Sequence, residues 1–414
     1  MTNSELTMDG SGDRRAHASL RSDPTDAAGR FEISLHRNME ALETEWRVLD
    51  GLPENSLHHA YQWCSAWAAT HVSDLALLRV TFDGELLLVL PLEVARGRLF
   101  RTAKLIGTEH SNLNTGLFAP NAAAIISTPA LADALARAIC GALRGLADIV
   151  MLDRLPSDWR GAPSPFALLS GVANPNPSFQ LPLLGGIQPT LAQLNAKRRR
   201  KKMRISERRL AEMGGYDYVV ARTGDEAHAL LDTFFRQKAT RFAALGLPDV
   251  FQDKETQAFF HALAARMGDD VQLMELNAIR LRGENDGRIV AVAGLSRKAD
   301  HVICQFGSID EALAGDASPG ELLFYRMIER LSGEGVRLFD FGVGDQPYKR
   351  SWCTIETPLR DIVLPVTFAG RLAGLRHHLV VRAKRAIKAN RAVYARIQRT
   401  RRHRQDKTFD SSAD

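Results

Sequence analysis

Residues 161–196 run without one charged side chain and carry six prolines, at positions 163, 165, 175, 177, 182 and 189. No helix survives that density of proline, and no solvated tether is this poor in charge. The segment reads as a crossover lying on protein. It splits 414 residues into two stretches of domain size. On each side, strand periodicity alternates with helix periodicity. Before it, the pattern predicts strands at 31–36, 75–81, 85–94 and 148–152. Helices are predicted over 39–49, 61–70 and 131–144, and Asp83-Gly84 is a hairpin signal between two of the strands. After it, the pattern predicts helices over 197–213, 225–244, 253–267 and 321–333, and strands at 216–222, 271–281, 288–297, 301–309 and 336–341. One α/β theme occurs twice.

The expected organisation is a disordered polar segment 1–29, a first domain 30–160, the crossover 161–196, a second domain 197–368 and a basic amphipathic tail 369–414. Charge is placed unevenly along it. The chain carries a net +6, yet nine Lys/Arg and a single acid, Glu207, lie within 197–209, and twelve Lys/Arg with no acid lie within 371–404. The remainder holds 33 basic and 47 acidic residues. An acidic body with two basic segments excludes a fold that binds nucleic acid throughout. Cys64, Cys140, Cys304 and Cys353 stand apart from one another and from His clusters, so neither a disulfide scaffold nor a metal site is expected, and the usage fits a reducing cytoplasm. No run is long and apolar enough to span a membrane. A Walker loop is absent, Gly342-Val343-Gly344 continues as Asp-Gln-Pro and not as a dinucleotide fingerprint, and no GxSxG elbow accompanies Glu109-His110-Ser111. That trio is left to line a crevice, and His58-His59 reads as a surface turn.

The chemistry concentrates in 301–352: a strand, a loop, Ser318-Pro319-Gly320 opening a helix, a second strand, and the polar block Asp340-Phe341-Gly342-Val343-Gly344-Asp345-Gln346-Pro347-Tyr348-Lys349-Arg350. A helix start after a strand gathers free N–H groups and a positive dipole end, which suits an anion such as a pyrophosphate. The side chains after the second strand fall beside the same crevice.

These residues resemble the CelD-like, FemAB-related branch of the GNAT acyltransferases, found in bacterial polysaccharide and cell-envelope gene sets. The Pro-Gly helix start, Gly335 before the last strand and the block from Asp340 to Trp352 carry the resemblance most specifically. The basic helix 197–213 and the aromatic helix of Tyr61, Trp63 and Trp67 agree with it. The resemblance implies two tandem GNAT-like domains, each a mixed twisted sheet flanked by helices. It also implies acyl transfer from acetyl-CoA or another acyl-CoA to an amine or hydroxyl, with no metal. The strands at 301–309 and 336–341 would splay around the acyl chain. The Gly307 and Ser308 backbone would face the carbonyl, and Ser318, Gly320, Glu321 and Leu322 the pyrophosphate. Asp345 or Asp340 would act as base or amine orienter, Tyr348 as acid, and Lys349 and Arg350 as anchors for an anionic group of the acceptor.

A small-molecule or glycan-precursor acceptor of exopolysaccharide or envelope metabolism follows from the same resemblance, in a cytoplasmic protein. The stretch 371–404 has the pattern of a basic amphipathic helix and fits peripheral association with an anionic membrane, while a nucleic-acid partner is not expected. Two other readings stand beside this one. One is a FemAB-type transferase fed by aminoacyl-tRNA; the other is a non-catalytic GNAT-like scaffold that uses the tail to bind a membrane or a partner.

Overall fold

The computed structural model describes residues 29–265 and 273–389. The expectations for 1–28 and 390–414 lie outside them. Leaving aside three strands of two residues each, seven strands precede the basic helix. They are β1 Phe31–His36, β2 Leu75–Phe82, β3 Glu85–Arg96, β4 Arg101–Leu105, β5 Ile149–Pro156, β6 Gly171–Ala173 and β7 Ser178–Pro182. Seven more follow it: β8 Tyr216–Val220, β9 Glu275–Leu281, β10 Ile289–Lys298, β11 His301–Ile309, β12 Leu338–Val343, β13 Ile355–Thr357 and β14 Leu359–Pro365. The first sheet has the order β1-β2-β3-β4-β5-β14-β6 and the second β8-β9-β10-β11-β12-β7-β13. The two orders are the same arrangement with one strand exchanged. The crossover gives β7 to the second sheet, and the end of the second half gives β14 to the first. The boundaries expected at 161–196 and 368 are boundaries of sequence and not of sheets.

Each sheet contains one parallel pair, and both pairs are short. Strands β4 and β5 align at Thr102–Ile149, Ala103–Val150 and Lys104–Met151. Strands β11 and β12 align at His301–Leu338, Val302–Phe339 and Ile303–Asp340, although β11 continues to Ile309. Beyond those three pairs the neighbours part. Asp83 and Gly84 both have positive φ, as a two-residue hairpin turn between β2 and β3 requires.

Helices flank the sheets and fasten the halves together, chief among them α1 Glu43–Asp50, α2 Tyr61–Thr70, α3 Pro129–Ala142, α4 Ala196–Glu212, α5 Gly224–Ala244, α6 Lys254–Ala265, α7 Pro319–Gly333, α8 Pro347–Trp352 and α9 Phe368–Ala389. Trp63 and Trp67, one turn apart on α2 (Tyr61–Thr70), meet Phe259 of the second half at ring separations of 5.4 and 5.1 Å. All three rings are buried in a core cluster that draws on both halves. Burial of side chains this large stabilises by about 2–3 kcal/mol each, so the interface is a core and not a hinge. No described helix is long and apolar enough to cross a membrane.

Candidate active site at the junction of the halves

A register shift between Gly294 and Leu295 leaves Gln305 as an extra residue on β11, a bulge just past the last residue paired with β12. A bulge re-aims its side chain and ends regular pairing, and such kinks recur beside active sites. The gap that opens is bridged from the first half by Asn112. Its Oδ1 accepts from the Val343 N–H of β12 at 3.3 Å, and its Nδ2 donates to Gln305 Oε1 at 2.9 Å. Gly342, at φ +71, lets Asn112 approach, because a Cβ there would collide with the Asn112 amide.

This chain of bonds orients an amide. The Val343 N–H can only donate, so Asn112 must turn its oxygen to β12 and its nitrogen to Gln305. Gln305 Oε1 is then the acceptor. His58 Nε2 lies 3.0 Å from the same oxygen, and its Nδ1 lies 3.0 Å from the Leu113 carbonyl. The Gln305 Nε2 group, buried, has no hydrogen-bond partner among the described residues. Gln305, Asn112 and Val343 line a crevice of about 530 Å³ between the halves, with Asp153, Arg154 and His377 among its other walls.

The first half repeats this geometry. Asp153 and Arg154 together oppose Asp361 of β14 in a second bulge, and Arg154 has φ +59, a left-handed conformation that costs about 1 kcal/mol in a residue of this type. The Arg154 guanidinium donates to the carbonyls of Thr108 and Ser111. The gap beyond β4 and β5 is filled by the chain itself. Asn114 donates its N–H to Arg154 O at 3.2 Å and its side chain to Asp153 O at 2.8 Å. The first gap is thus closed with backbone, whereas the second is crossed by the side chain of Asn112. Burial pushes the Asp153 carboxyl upward, against the Arg154 charge and a hydrogen bond from Thr108.

The sequence-derived candidates fall into distinct settings. Asp340 is fully buried and accepts from Ser178 Oγ and Gln180 Nε2 at 3.1 Å and from the Gly342 N–H at 2.7 Å. Burial alone would raise its carboxyl, but the His301 ring and these hydrogen bonds outweigh it and hold the group below the ordinary carboxylate value. Lys349, on α8 (Pro347–Trp352), is buried and donates to Gly342 O at 3.1 Å and Val343 O at 2.8 Å. Burial brings its ammonium down to about 8. Arg350 pairs with Asp345 at 2.5 Å and Glu356 at 2.9 Å. Tyr348 stays 39% exposed, its ring stacked on Phe324 at 5.5 Å, and desolvation raises its hydroxyl well above the ordinary value. Asp340 and Lys349 therefore brace the turn after β12 from within, while Tyr348 is at its surface.

On the other edge, Ser308 Oγ donates to Gln237 Oε1 at 2.7 Å, and the neighbouring Gly307 has a half-buried backbone. Ser318 takes a left-handed φ of +52 before α7 (Pro319–Gly333). Its carbonyl accepts the Glu321 N–H at 3.1 Å and the Leu322 N–H at 3.4 Å, which leaves Gly320 as the first-turn glycine, seated against Ile309. The Glu321 carboxylate is clamped by Arg199 and Lys202 of the basic helix α4 (Ala196–Glu212). Arg199 is buried, its guanidinium 4.4 Å from the Trp352 ring centre. The other face of α4 is a basic groove lined by Lys197, Arg200, Lys201, Arg204 and Arg208.

The expected surface turn at His58-His59 is not found. Both rings are fully buried, and burial pulls their pKa values down to about 4 and about 3. Trp63 packs edge-on against His58 at 4.9 Å and helps exclude water. Asn112 and Gln305 were not among the candidates because neither belongs to a motif, and His58 was taken for a surface residue because its partner Gln305 lies 247 residues away. Glu109, His110 and Ser111 do line the crevice.

Residues 197–350 match the family described as an acetyltransferase (GNAT) domain. Among solved structures, the chain is similar to the crystal structure of FemX, at 14% identity and a TM-score of 0.56, over 83% of this chain and 99% of that one. It is also similar to the structure of L-PGS from Bacillus licheniformis, at 12% identity and a TM-score of 0.50, over 85% and 98% of the two chains. No curated protein matches the chain. At such identities the likeness is one of fold. The expected architecture of GNAT-like α/β units, with twisted mixed sheets flanked by helices, is the one observed.

Proposed function

We propose that the chain is a CelD-like, FemAB-related acyltransferase that moves an acyl group from acyl-CoA to an amine or hydroxyl acceptor of exopolysaccharide or envelope metabolism. One observation carries the reading. Within the segment that matches the GNAT domain, the β11–β12 gap opens at a bulge whose Gln305 amide has an oriented, buried and unpartnered N–H2 group. An orphaned donor of that kind fits a carbonyl oxygen.

Bound acyl-CoA would supply an activated thioester, held by the β11–β12 edges and, at its phosphate end, by Gly320 and the α7 N-terminus. The chain's own residues supply the rest. Gln305 Nε2 donates to the acyl oxygen and stabilises the negative charge that develops there. Tyr348, held protonated by desolvation, is the proton source for a departing thiolate. Asp153 faces the acceptor crevice with a carboxyl pushed up by burial, which suits a base that takes the acceptor's proton. Asp345 and Arg350 form the rim beside Tyr348 and orient the acceptor through their charges.

The competing donor, aminoacyl-tRNA, draws on the exposed basic face of α4 and on the fold shared with FemX. Thermal shift separates the readings, because a ligand of the native state raises the melting temperature. We expect acetyl-CoA or a longer acyl-CoA to raise it and tRNA to leave it unchanged. A shift with tRNA alone overturns the choice of donor, and no shift with any of them favours the scaffold.

A further inference from the structure

The last described helix, α9 (Phe368–Ala389), has two faces of different character. Its inner face is built from small residues and docks on β5 and β14. A Cβ on Gly370 would collide with Asp148 O, Gly374 lies against Val363, and Ala373 and Val381 are buried. His377 on this face reaches Asp361 at 3.4 Å. The outer face carries Phe368, Leu372, Leu375 and Leu379, exposed by 74, 57, 58 and 57%. Their spacing of four, three and four residues puts them in one stripe. Arg371, Arg376 and Arg382 flank it, all exposed, and no acidic residue occurs between 371 and 404.

We infer that the outer face of α9 is a docking surface for a membrane that carries anionic lipid. A helix docked so closely through glycines has its apolar outer stripe set by position and not left over from incomplete packing. Apolar side chains with arginines on both flanks match the interface of an anionic bilayer, where the rings and leucines enter the acyl boundary and the guanidinium groups meet phosphates. Charge decides the occupant: an apolar stripe for a protein partner needs no uniformly basic margin, whereas a negative lipid surface does. Strength is added by position. The inner face of the same helix supplies His377, Val381 and Lys384 to the crevice between the halves. Docking would therefore hold that crevice within roughly one helix diameter, about 10 Å, of the headgroups. On the acyltransferase reading, the acceptor would be met at the membrane surface.

The test needs no acyl transfer, so its outcome is independent of that reading. Full-length protein is sedimented with vesicles of phosphatidylcholine alone and of phosphatidylcholine with one quarter phosphatidylglycerol. We expect binding to the second and not to the first, weakened at least tenfold by 0.5 M salt. The double variant Leu372→Glu/Leu379→Glu should lose at least tenfold in binding with an unchanged melting temperature. The triple variant Arg371→Gln/Arg376→Gln/Arg382→Gln should bind less and respond less to salt. Binding that both variants retain would place it elsewhere in the chain and overturn the inference. So would equal binding to neutral vesicles. Dimerisation in ultracentrifugation, abolished by the leucine variant and unaccompanied by vesicle binding, would make a second copy the occupant and overturn it as well.

Discussion

Gln305 owes its orientation to a backbone N–H on another strand, relayed through a side chain from the other half of the molecule. That relay separates positioning from catalysis. Gln305→Leu removes the donor, and we expect kcat to fall about 10²–10³-fold, the usual consequence of losing one oxyanion donor, with KM for the acyl donor changed little. Asn112→Ala leaves Gln305 in place but frees it to turn. Its expected loss of about tenfold in kcat should persist in Asn112→Asp, which keeps the acceptor for Val343 but puts a second acceptor where Gln305 Oε1 needs a donor. Wild-type kcat in Gln305→Leu, measured by thiol release from acyl-CoA, would remove the residue from the mechanism. The two buried histidines set a pH dependence. In the unfolded chain they titrate near 6.5, in the native protein near 4 and 3, so the unfolded state binds more protons over that interval. Their contribution is complete above about pH 6.5 and is lost progressively as pH falls toward 4, at most about 3 kcal/mol for each ring. Asp340 acts in a lower window: its native pKa is depressed, so its contribution is present above about pH 4 and is lost as the carboxylate protonates below that. Urea midpoints measured from pH 7.5 to 4 should fall steeply below 6.5. A flat profile down to pH 5 would contradict the burial of both rings.

The turn that joins β12 to α8 is an element braced by its own charges. Lys349→Met would leave the Gly342 and Val343 carbonyls without their buried donor, at a cost of about 1–3 kcal/mol. We expect a lower urea midpoint and a loss of acyl transfer that follows from the displaced turn, whereas Tyr348→Phe should reduce transfer at least tenfold without changing the midpoint. Equal destabilisation by the two would mean that Tyr348 serves packing alone. Elements of this kind show what a sequence discloses. Strand β11 was expected at 301–309 and is found there, and the hairpin turn of Asp83-Gly84 is in its place, because period-two patterning and turn chemistry are local. Strand β7 was not expected. It is five residues inside a proline-rich, uncharged stretch, and its pairing with β12 depends on a strand about 160 residues away. At the site, the polar turn expected after the strand at 336–341 is found between β12 and α8. The roles of Asp340, Lys349 and Glu321 depend on burial and on partners in α4, β7 and the turn itself, which spacing does not encode.

At the scale of the whole molecule, the exchange of β7 and β14 couples two sheets that a linear reading would count as separate bodies. Ile362 of β14 is buried in the core of the first sheet, and Phe179 and Leu181 of β7 in that of the second. Together with the shared core around Trp63 and Phe259, this makes independent unfolding costly. Calorimetry should show one cooperative transition, and a chain ended at residue 353, lacking β14, should lose the first sheet's stability as well as the second's. Two well-separated transitions in the full chain would refute the coupling. The exchange also bears on synthesis. A ribosome that has finished the first half must add about 200 more residues before β14 emerges, which takes roughly 10–40 s at ordinary elongation rates. For that interval the nascent first sheet has a vacant slot between β5 and β6, with unpaired edges on both sides. Such a chain is expected to depend on holding factors, and on slow, orderly translation, more than its modest size alone would indicate.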